Sequence, residues 1–170
     1  MIACFDVHYT DERVCAAAVV FNDWTDQTPS EKFAIPCNTP NEYVAGEFFK
    51  RELGPLQTVI AKIKHPIQTF VIDAYCHLDS DGLPGLGAHL HRELPDDAVV
   101  VGIAKNRFRQ TNHAVEIFRG DSLRGLFVTS IGIDYKTAAE HIKSMHGDHR
   151  IPTLLKTVDQ LSRNADMSAN

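Results

Sequence analysis

Two aspartates interrupt stretches that otherwise have the character of buried β-strands. Asp6 lies inside "MIACFDVHY", and Asp73 directly follows the apolar residues 70–72 in "FVIDAY". Aspartate is depleted in strands, and a buried carboxylate without a partner is expensive. Glu52 lies among the apolar positions of a helical stretch between them. If the three converge, their oxygens are suitable ligands for a hard divalent cation such as Mg²⁺.

The chemistry of such a cluster is phosphodiester hydrolysis. Two cations about 4 Å apart can activate a water molecule and stabilise the departing oxygen. Taken singly, each residue also has a simpler interpretation. Asp6 and Asp73 can accept hydrogen bonds from backbone amides at strand ends, and Glu52 can pair with Lys50 on a solvated helix face. The metal hypothesis therefore depends on convergence, because neighbouring unpaired carboxylates repel one another and a bound cation removes that cost.

A lysine and two arginines follow another strand-like run. Lys105 closes "VVGIAK", and Arg107 and Arg109 come next. Lys105 can simply extend into solvent, and the arginines can belong to a solvated turn. If this strand ends at the same edge as the aspartates, Lys105 is instead placed to hold a phosphate or the attacking water. The arginines would then suit the path of a nucleic-acid backbone.

The order of predicted elements would bring the two aspartates together. The predicted strands are residues 2–9, 13–21, 31–36, 67–75, 97–105, 113–119 and 125–132, and the predicted helices are 43–64, 85–94, 135–145 and 153–163. Gly54-Pro55 lies inside the first helix, where we expect a kink or two abutting helices. A right-handed crossover places the fourth strand beside the first and parallel to it. This order predicts an α/β fold of the ribonuclease H-like type, a mixed sheet flanked by helices.

The composition is that of one ordinary domain, residues 1–170 with a frayed tail from about 164. Apolar residues make up 44% and charged residues 23% of the chain, and the formal net charge is −5. This charge argues against a protein that coats nucleic acid by electrostatics alone, but it permits a nuclease with clustered carboxylates. No apolar run is long enough to span a membrane, so we expect a cytoplasmic protein. Four widely spaced cysteines predict reduced thiols rather than disulfides or a zinc site.

Six segments resemble the endonuclease V family, metal-dependent nucleases that cut nucleic acid near deaminated bases, above all inosine. "CFDVHY" is similar to the family's first strand with its metal-binding aspartate. "YVAGEFFKRE" resembles Y-x-P-G-x-x-x-x-R-E, and "VIDAY" stands where the family has V-D-G. "GLGAHL", "VVGIAKN" and "RIPTLLKTVDQLSR" resemble G-L-A-S-H-L, V-G-V-A-K-S and R-x-P-E-P-T-R-x-A-D-x-L-S. The resemblance covers almost the whole chain, in the family's order.

The resemblance implies a role for particular residues. It assigns Asp6, Glu52 and Asp73 as catalytic ligands of Mg²⁺ or Mn²⁺, and Lys105 as a further catalytic residue. The implied partner is DNA or RNA that contains deaminated bases. The residues expected to contact it are Tyr43, Gly46 and Arg51 from the resemblance, and Arg107 from the basic patch that follows Lys105.

The chain also departs from the family pattern. Ala45 stands where the family usually has proline, in a loop that wedges into the duplex. "DAYCHLDSDGLPG" lacks both early glycines and the histidine of D-G-x-G-x-x-H-P, although His77 lies close by as a substitute. Near "SIGIDY" the family's S-x-G-H histidine is replaced by Ile133, with Asp134 next in line. His77 and Asp134 are therefore the candidate accessory residues.

Three functions remain open from the sequence. The first is an active metal-dependent endonuclease with relaxed or altered specificity. The second is a nucleic-acid-binding relative that cleaves poorly, favoured by the missing histidines and opposed by the three retained carboxylates. The third is a metal-dependent hydrolase of small phosphate esters, in which the metal would have to hold any nucleotide because no nucleotide-binding loop motif is present.

Overall fold

The computed structural model describes residues 1–10, 13–37, 48–108 and 112–164, apart from the side chains of Phe48 and Lys50. Within these ranges the elements follow the predicted order. They are β1 (Ile2–Tyr9), β2 (Val14–Phe21), β3 (Glu31–Cys37), α1 (Phe48–Ile60), β4 (Thr69–Ile72), α2 (Leu86–His91), β5 (Val99–Ala104), β6 (Val115–Ile117), β7 (Leu126–Ile131), α3 (Tyr135–Ser144) and α4 (Thr153–Asn164). The predicted start of the first helix and residues 165–170 of the predicted frayed tail lie outside the described residues, whereas Asn164 is the last residue of α4.

The strands form one mixed sheet in the order β3-β2-β1-β4-β5-β7-β6. β1–β4 and β4–β5 are parallel pairs, and the remaining pairs are antiparallel. The predicted mixed sheet, with the first and fourth strands adjacent and parallel, is confirmed. Phe5 pairs with Ile72 at the last position of the β1–β4 register. The next residue on each strand is Asp6 and Asp73 respectively, so the register sets the two aspartates side by side.

Helices cover both faces of this sheet and give the protein two apolar layers. Alternate residues of β1 point to opposite faces, as the period of a strand requires. Cys4 packs in a core with residues of α3 and α4, including Ala138 and Val158. Phe5 packs on the other face with residues of α1 and α2, including Leu56. Strands buried on both faces explain why the central segments are continuously apolar.

The helix α1 runs without a break through Pro55. The expectation of two abutting helices at this point was therefore wrong. Proline has no backbone N–H, so the Arg51 carbonyl four residues earlier loses its usual intrahelical donor. The Tyr9 hydroxyl donates a hydrogen bond of 2.6 Å to that carbonyl. The Arg51 guanidinium also lies 4.2 Å from the centre of the Tyr9 ring. The Tyr9 side chain thus replaces the hydrogen-bond donor that Pro55 lacks, and it connects α1 to β1, the strand that carries Asp6.

The cysteines agree with the expectation of reduced thiols. Cys4, Cys15, Cys37 and Cys76 are all free thiols, and Cys4 and Cys76 are buried. Among the described residues, no helix combines the length and the apolar character that crossing a membrane requires. The fourth and sixth strands are shorter than predicted, and Asp73 lies just beyond the end of β4 rather than inside it.

The hydrogen bond from Tyr9 predicts a specific loss of stability. Tyr9→Phe keeps the ring beneath Arg51 but leaves the Arg51 carbonyl without this donor, which should cost about 1–2 kcal/mol of unfolding free energy. The measurement is urea denaturation followed by circular dichroism.

The control is Pro55→Ala, which restores an amide donor to the same carbonyl. In that background, Tyr9→Phe should cost clearly less. An equal loss in both backgrounds would show that the Tyr9 hydroxyl does not compensate for the proline.

Candidate active site

The acidic residues meet at the edge of the sheet where its parallel strands end. Asp6 follows the last β1–β4 pair, Asp73 follows β4, and Lys105 follows β5. Glu52 reaches the same place from α1. All four side chains line one cleft of about 170 Å³. Clefts outside the carboxyl ends of parallel strands are the usual ligand positions in α/β sheets.

Burial and mutual repulsion make the charged state of this cleft costly. Burial, followed by the charges of Asp6 and Asp73, raises the pKa of Glu52 to about 7. Burial is also the main cause that raises the pKa of Asp6, and Asp159 and Asp73 add to it. The carboxylates are therefore close enough to influence one another's ionisation. This is the electrostatic setting that a bound cation would relieve.

Lys105 supplies part of the missing positive charge. Its Nζ donates a hydrogen bond to Asp73 Oδ2 and lies 4.0 Å from Asp159 Oδ1. Burial opposes the charged ammonium, but the hydrogen bond and charge of Asp73 outweigh it and raise the pKa of Lys105. The predicted emergence of Lys105 beside the aspartates is what the structure shows.

Helix α4 adds residues that the sequence did not single out. Asp159 and Arg163 line the same cleft. Ser162 donates a hydrogen bond to Asp6 Oδ2. Two hydrogen bonds of 3.0 Å from Arg163 join it to the carboxylate of Asp159 and lower the pKa of that carboxyl group. Ser162 and Arg163 follow Asp159 by three and four residues, so the three side chains lie on one side of the helix. The segment "VDQLSR" belonged to the resemblance, but none of its residues was a predicted site residue.

Arg150 is another residue near the site that the sequence did not single out, and it donates hydrogen bonds to backbone carbonyls. Its Nη2 donates to the Lys105 carbonyl and, at 2.9 Å, to the Gly125 carbonyl. The guanidinium thereby joins the residue that follows β5 to the residue that precedes β7. The arginine of the R-x-P segment was the available signal in the sequence.

The predicted nucleic-acid contacts have other surroundings or lie outside the described residues. Arg51 stacks on Tyr9. Arg107 forms a 2.8 Å ion pair with Glu116 and lies 4.9 Å from the centre of the Phe127 ring. Neither arginine lines the acidic cleft. Tyr43, Gly46 and also Arg109 lie outside the described residues, so their predicted roles stay predictions.

The two candidate accessory residues are held away from the cleft. The Nδ1 atom of His77 is hydrogen-bonded to the Tyr135 hydroxyl at 2.8 Å. Asp134 caps α3 by accepting a 2.9 Å hydrogen bond from the Thr137 amide. Neither residue lines the cleft that holds the carboxylates. The structure therefore does not bring His77 or Asp134 to the predicted site, because the partners of each lie elsewhere.

The donor set of the cleft matches a hard divalent cation. Carboxylate oxygens are the ligands Mg²⁺ prefers, and four carboxylates line the cleft: Asp6, Glu52, Asp73 and Asp159. Within the described ranges, no three His, Cys, Asp or Glu side chains are already arranged as a metal-binding group. Ser162, Lys105 and Arg163 each hold a different aspartate instead. A cation would therefore have to compete with Lys105 for Asp73.

A mixed sheet with acidic residues at the ends of its parallel strands defines a ribonuclease H-like α/β domain. The sequence model of the family described as Endonuclease V matches residues 1–125. The chain belongs to the endonuclease V family. No significant match was found among curated protein sequences.

Solved structures of this family share the fold at low sequence identity. Endonuclease V from Streptomyces avermitilis has a TM-score of 0.76 at 22% identity, over 96% of this chain and 80% of that one. The catalytic domain of human endonuclease V has a TM-score of 0.78 at 19% identity, over 96% and 81%. Endonuclease V from Ciona intestinalis, crystallised with a 24mer DNA containing an inosine followed by a ribo-adenosine, has a TM-score of 0.78 at 19% identity, over 96% and 84%. The predicted ribonuclease H-like fold is thus confirmed.

The raised pKa of Glu52 predicts how stability depends on pH in the absence of metal. The folded protein holds a proton on Glu52 up to about pH 7, whereas the ordinary value is 4.5. More protons are bound in the folded state across this window, so stability falls as pH rises through it. Glu52→Gln removes the ionisation. In chelator it should be more stable than the native protein by about 1–3 kcal/mol at pH 8 and little different at pH 4.

Thermal and urea unfolding at the two pH values measure this difference. Glu140→Gln, on the exposed side of α3, is the matched control and should show no such pH dependence. A Glu52→Gln variant that is no more stable at pH 8 than at pH 4, relative to the native protein, would contradict the predicted repulsion.

Proposed function

We propose that this protein is a divalent-metal-dependent endonuclease that hydrolyses phosphodiester bonds near deaminated bases, inosine first among them. The observation that carries the proposal is the convergence of Asp6, Glu52 and Asp73 in one cleft beside Lys105. Family membership and the inosine-containing DNA bound by the Ciona intestinalis relative support the choice of substrate. A cytoplasmic location and a part in the repair or turnover of deaminated nucleic acid belong to the same proposal.

Each residue has a role in this proposal. Asp6, Glu52 and Asp73 hold Mg²⁺ or Mn²⁺, and Asp159 offers a further carboxylate. When bound, the cation supplies Lewis-acid stabilisation of the phosphate and a more acidic attacking water. The Ser162 hydroxyl orients Asp6, and Arg163 orients Asp159.

Lys105 has the most direct contact with substrate in this scheme. If Asp73 held a cation, the ammonium of Lys105 would be free to hold the scissile phosphate or to orient the attacking water. Arg150 keeps the Lys105 backbone in place through its hydrogen bond to the carbonyl. Because His77 and Asp134 have partners outside the cleft, neither of them shares this work.

The nucleic acid itself is proposed to meet residues around the cleft. Arg107, on the segment that follows Lys105, is placed to contact a phosphate, since its ion pair with Glu116 is half exposed. Tyr43 and Gly46 are proposed to recognise the extruded base, because base extraction needs a stacking partner. Arg51 is proposed to act through α1, where it stacks on Tyr9, rather than through the cleft.

The missing family histidines favour a second candidate, a nucleic-acid-binding relative that cleaves slowly. Three substrates separate the candidates: an inosine-containing strand, the same strand without inosine, and a mononucleotide, each with Mg²⁺. Preferential cleavage of the inosine strand supports the proposal. Binding without cleavage supports the second candidate, and hydrolysis of the mononucleotide alone supports a small phosphate-ester hydrolase.

Removal of either the Asp6 or the Asp73 carboxylate should abolish cleavage. Asp6→Asn and Asp73→Asn each remove an oxygen ligand, and we expect losses of on the order of a hundredfold or more, as for other transition-state charge partners. In chelator, Asp6→Asn should be as stable as the native protein or slightly more stable, because it removes a repelling charge, whereas Asp73→Asn also removes the charge partner of Lys105.

The measurements are Mg²⁺-dependent cleavage and thermal unfolding on the same preparations. Asp81→Asn, an exposed aspartate on the loop after β4, is the matched control and should retain full activity. Native cleavage rates in either Asp6→Asn or Asp73→Asn, or in the native protein in chelator, would rule out this mechanism.

Lys105 should be required for turnover more than for folding. Lys105→Ala is expected to lower the rate of cleavage roughly a hundredfold, because the charge on the scissile phosphate loses its partner. Lys105→Arg should not restore the rate, since a planar guanidinium presents its charge differently from a compact ammonium. Lys136→Ala, on the exposed side of α3, is the control. Single-turnover cleavage measures the effect, and a rate within a few-fold of native in Lys105→Ala would assign Lys105 to the ion pair alone.

A further inference from the structure

A second cleft adjoins the acidic one on the side of α4. Its volume is about 320 Å³, at the lower end of the roughly 300–1,000 Å³ typical of small-molecule sites. The two clefts share Asp6, Asp73, Lys105 and Asp159. A strand whose phosphate lies at the carboxylates would therefore continue directly into this α4-side cleft.

One wall of the α4-side cleft is apolar. Leu126, Ile151, Leu155 and Val158 contribute to it. Leu126 and Val158 are buried in the core, whereas Ile151 and Leu155 are only half-buried. An apolar surface left open beside charged groups gains free energy when a flat, weakly polar surface covers it. A nucleobase has such a face.

Basic side chains also line the α4-side cleft, together with the carboxylates that it shares with the acidic cleft. The basic residues are His149, Arg150 and Lys156, in a chain whose formal net charge is −5. Arg150 Nη2 is occupied by backbone carbonyls. Arg150 Nε is buried and has no hydrogen-bond partner among the described residues. A buried donor without an acceptor is destabilising, and Arg150 is one of the residues that line this cleft.

We propose that the α4-side cleft holds one nucleotide unit of the substrate strand next to the scissile phosphate. The base lies against Leu155 and Ile151, and the phosphate of the unit lies at Arg150 and Lys156. This proposal rests on the proposed function, because it takes the ligand to be the strand that is cut. The apolar wall contacts the face of the base rather than its hydrogen-bonding edge, so the subsite accepts any base.

The test measures binding in chelator, where no cleavage interferes. The probe is a fluorescent six-nucleotide single strand, together with six versions that each lack one base. Fluorescence anisotropy gives the affinity of each probe for the native protein and for Leu155→Trp, whose larger side chain fills the α4-side cleft. Gln160→Trp places the same residue on the exposed face of α4 and is the matched control.

In the native protein, loss of the base at one position should weaken binding by roughly fivefold to a hundredfold, the range for one stacked base. Leu155→Trp should weaken the complete strand by a similar factor and show no further loss with that abasic probe. Gln160→Trp should behave like the native protein. Equal abasic penalties in the native protein and Leu155→Trp would overturn the proposal.

A surface variant keeps the proposal testable if Leu155→Trp does not fold. Lys156→Glu changes an exposed side chain at the rim and leaves the core alone. It should weaken binding of a 5′-phosphorylated mononucleotide at least several-fold while leaving the unphosphorylated nucleoside unchanged, as followed by NMR shifts. Equal effects on both probes, or no effect on either, would overturn the placement of the phosphate.

Failure of this subsite and failure of the proposed function give different results. Cleavage of the inosine strand with Mg²⁺, without any coupling between Leu155 and an abasic position, overturns the subsite alone. Coupling in chelator without cleavage of any strand overturns the nuclease and leaves a strand-binding cleft.

Discussion

The parallel pairing of β1 with β4 is the constraint on which the candidate site depends. It ends at Phe5 and Ile72, so the chain sets Asp6 and Asp73 side by side at one edge of the sheet. The long connection between these strands also contains α1, which packs on the sheet and brings Glu52 to the same edge. Without this register, the acids would be scattered polar residues at unrelated strand ends.

Carboxylates held so close together repel one another, and side chains from several elements offset this repulsion by hydrogen-bonding to them. Ser162 bonds Asp6, Lys105 bonds Asp73, and Arg163 bonds Asp159. Burial and the neighbouring charges still leave Glu52 with a pKa of about 7. The cleft therefore concentrates negative charge that a divalent cation would relieve, and such a cation would compete with Lys105 for the Asp73 carboxylate.

In α1, a tertiary contact compensates for the hydrogen bond that a proline removes. Pro55 removes a hydrogen bond from the helix, and for this reason the sequence predicted a kink or two abutting helices. The Tyr9 hydroxyl replaces the missing donor, and the helix continues. The sequence could not show this because the two residues lie 46 positions apart. The same reason explains His77 and Asp134, whose nearness to the family's histidine positions along the chain did not place them in the cleft.

The sequence alone determined the order of the elements, the mixed sheet and the meeting of Asp6, Asp73 and Lys105, because strand ends follow from apolar runs and crossover handedness is nearly invariant. Periodicity also placed Glu52 on the helix that packs above them. Only the tertiary structure decided which side chains complete the site. Asp159, Ser162 and Arg163 come from the last helix, more than 150 residues after Asp6, and Arg150 holds Lys105 through backbone carbonyls. Such contacts depend on how α4 packs across the sheet edge, and no local pattern in the chain encodes a distance between segments so far apart.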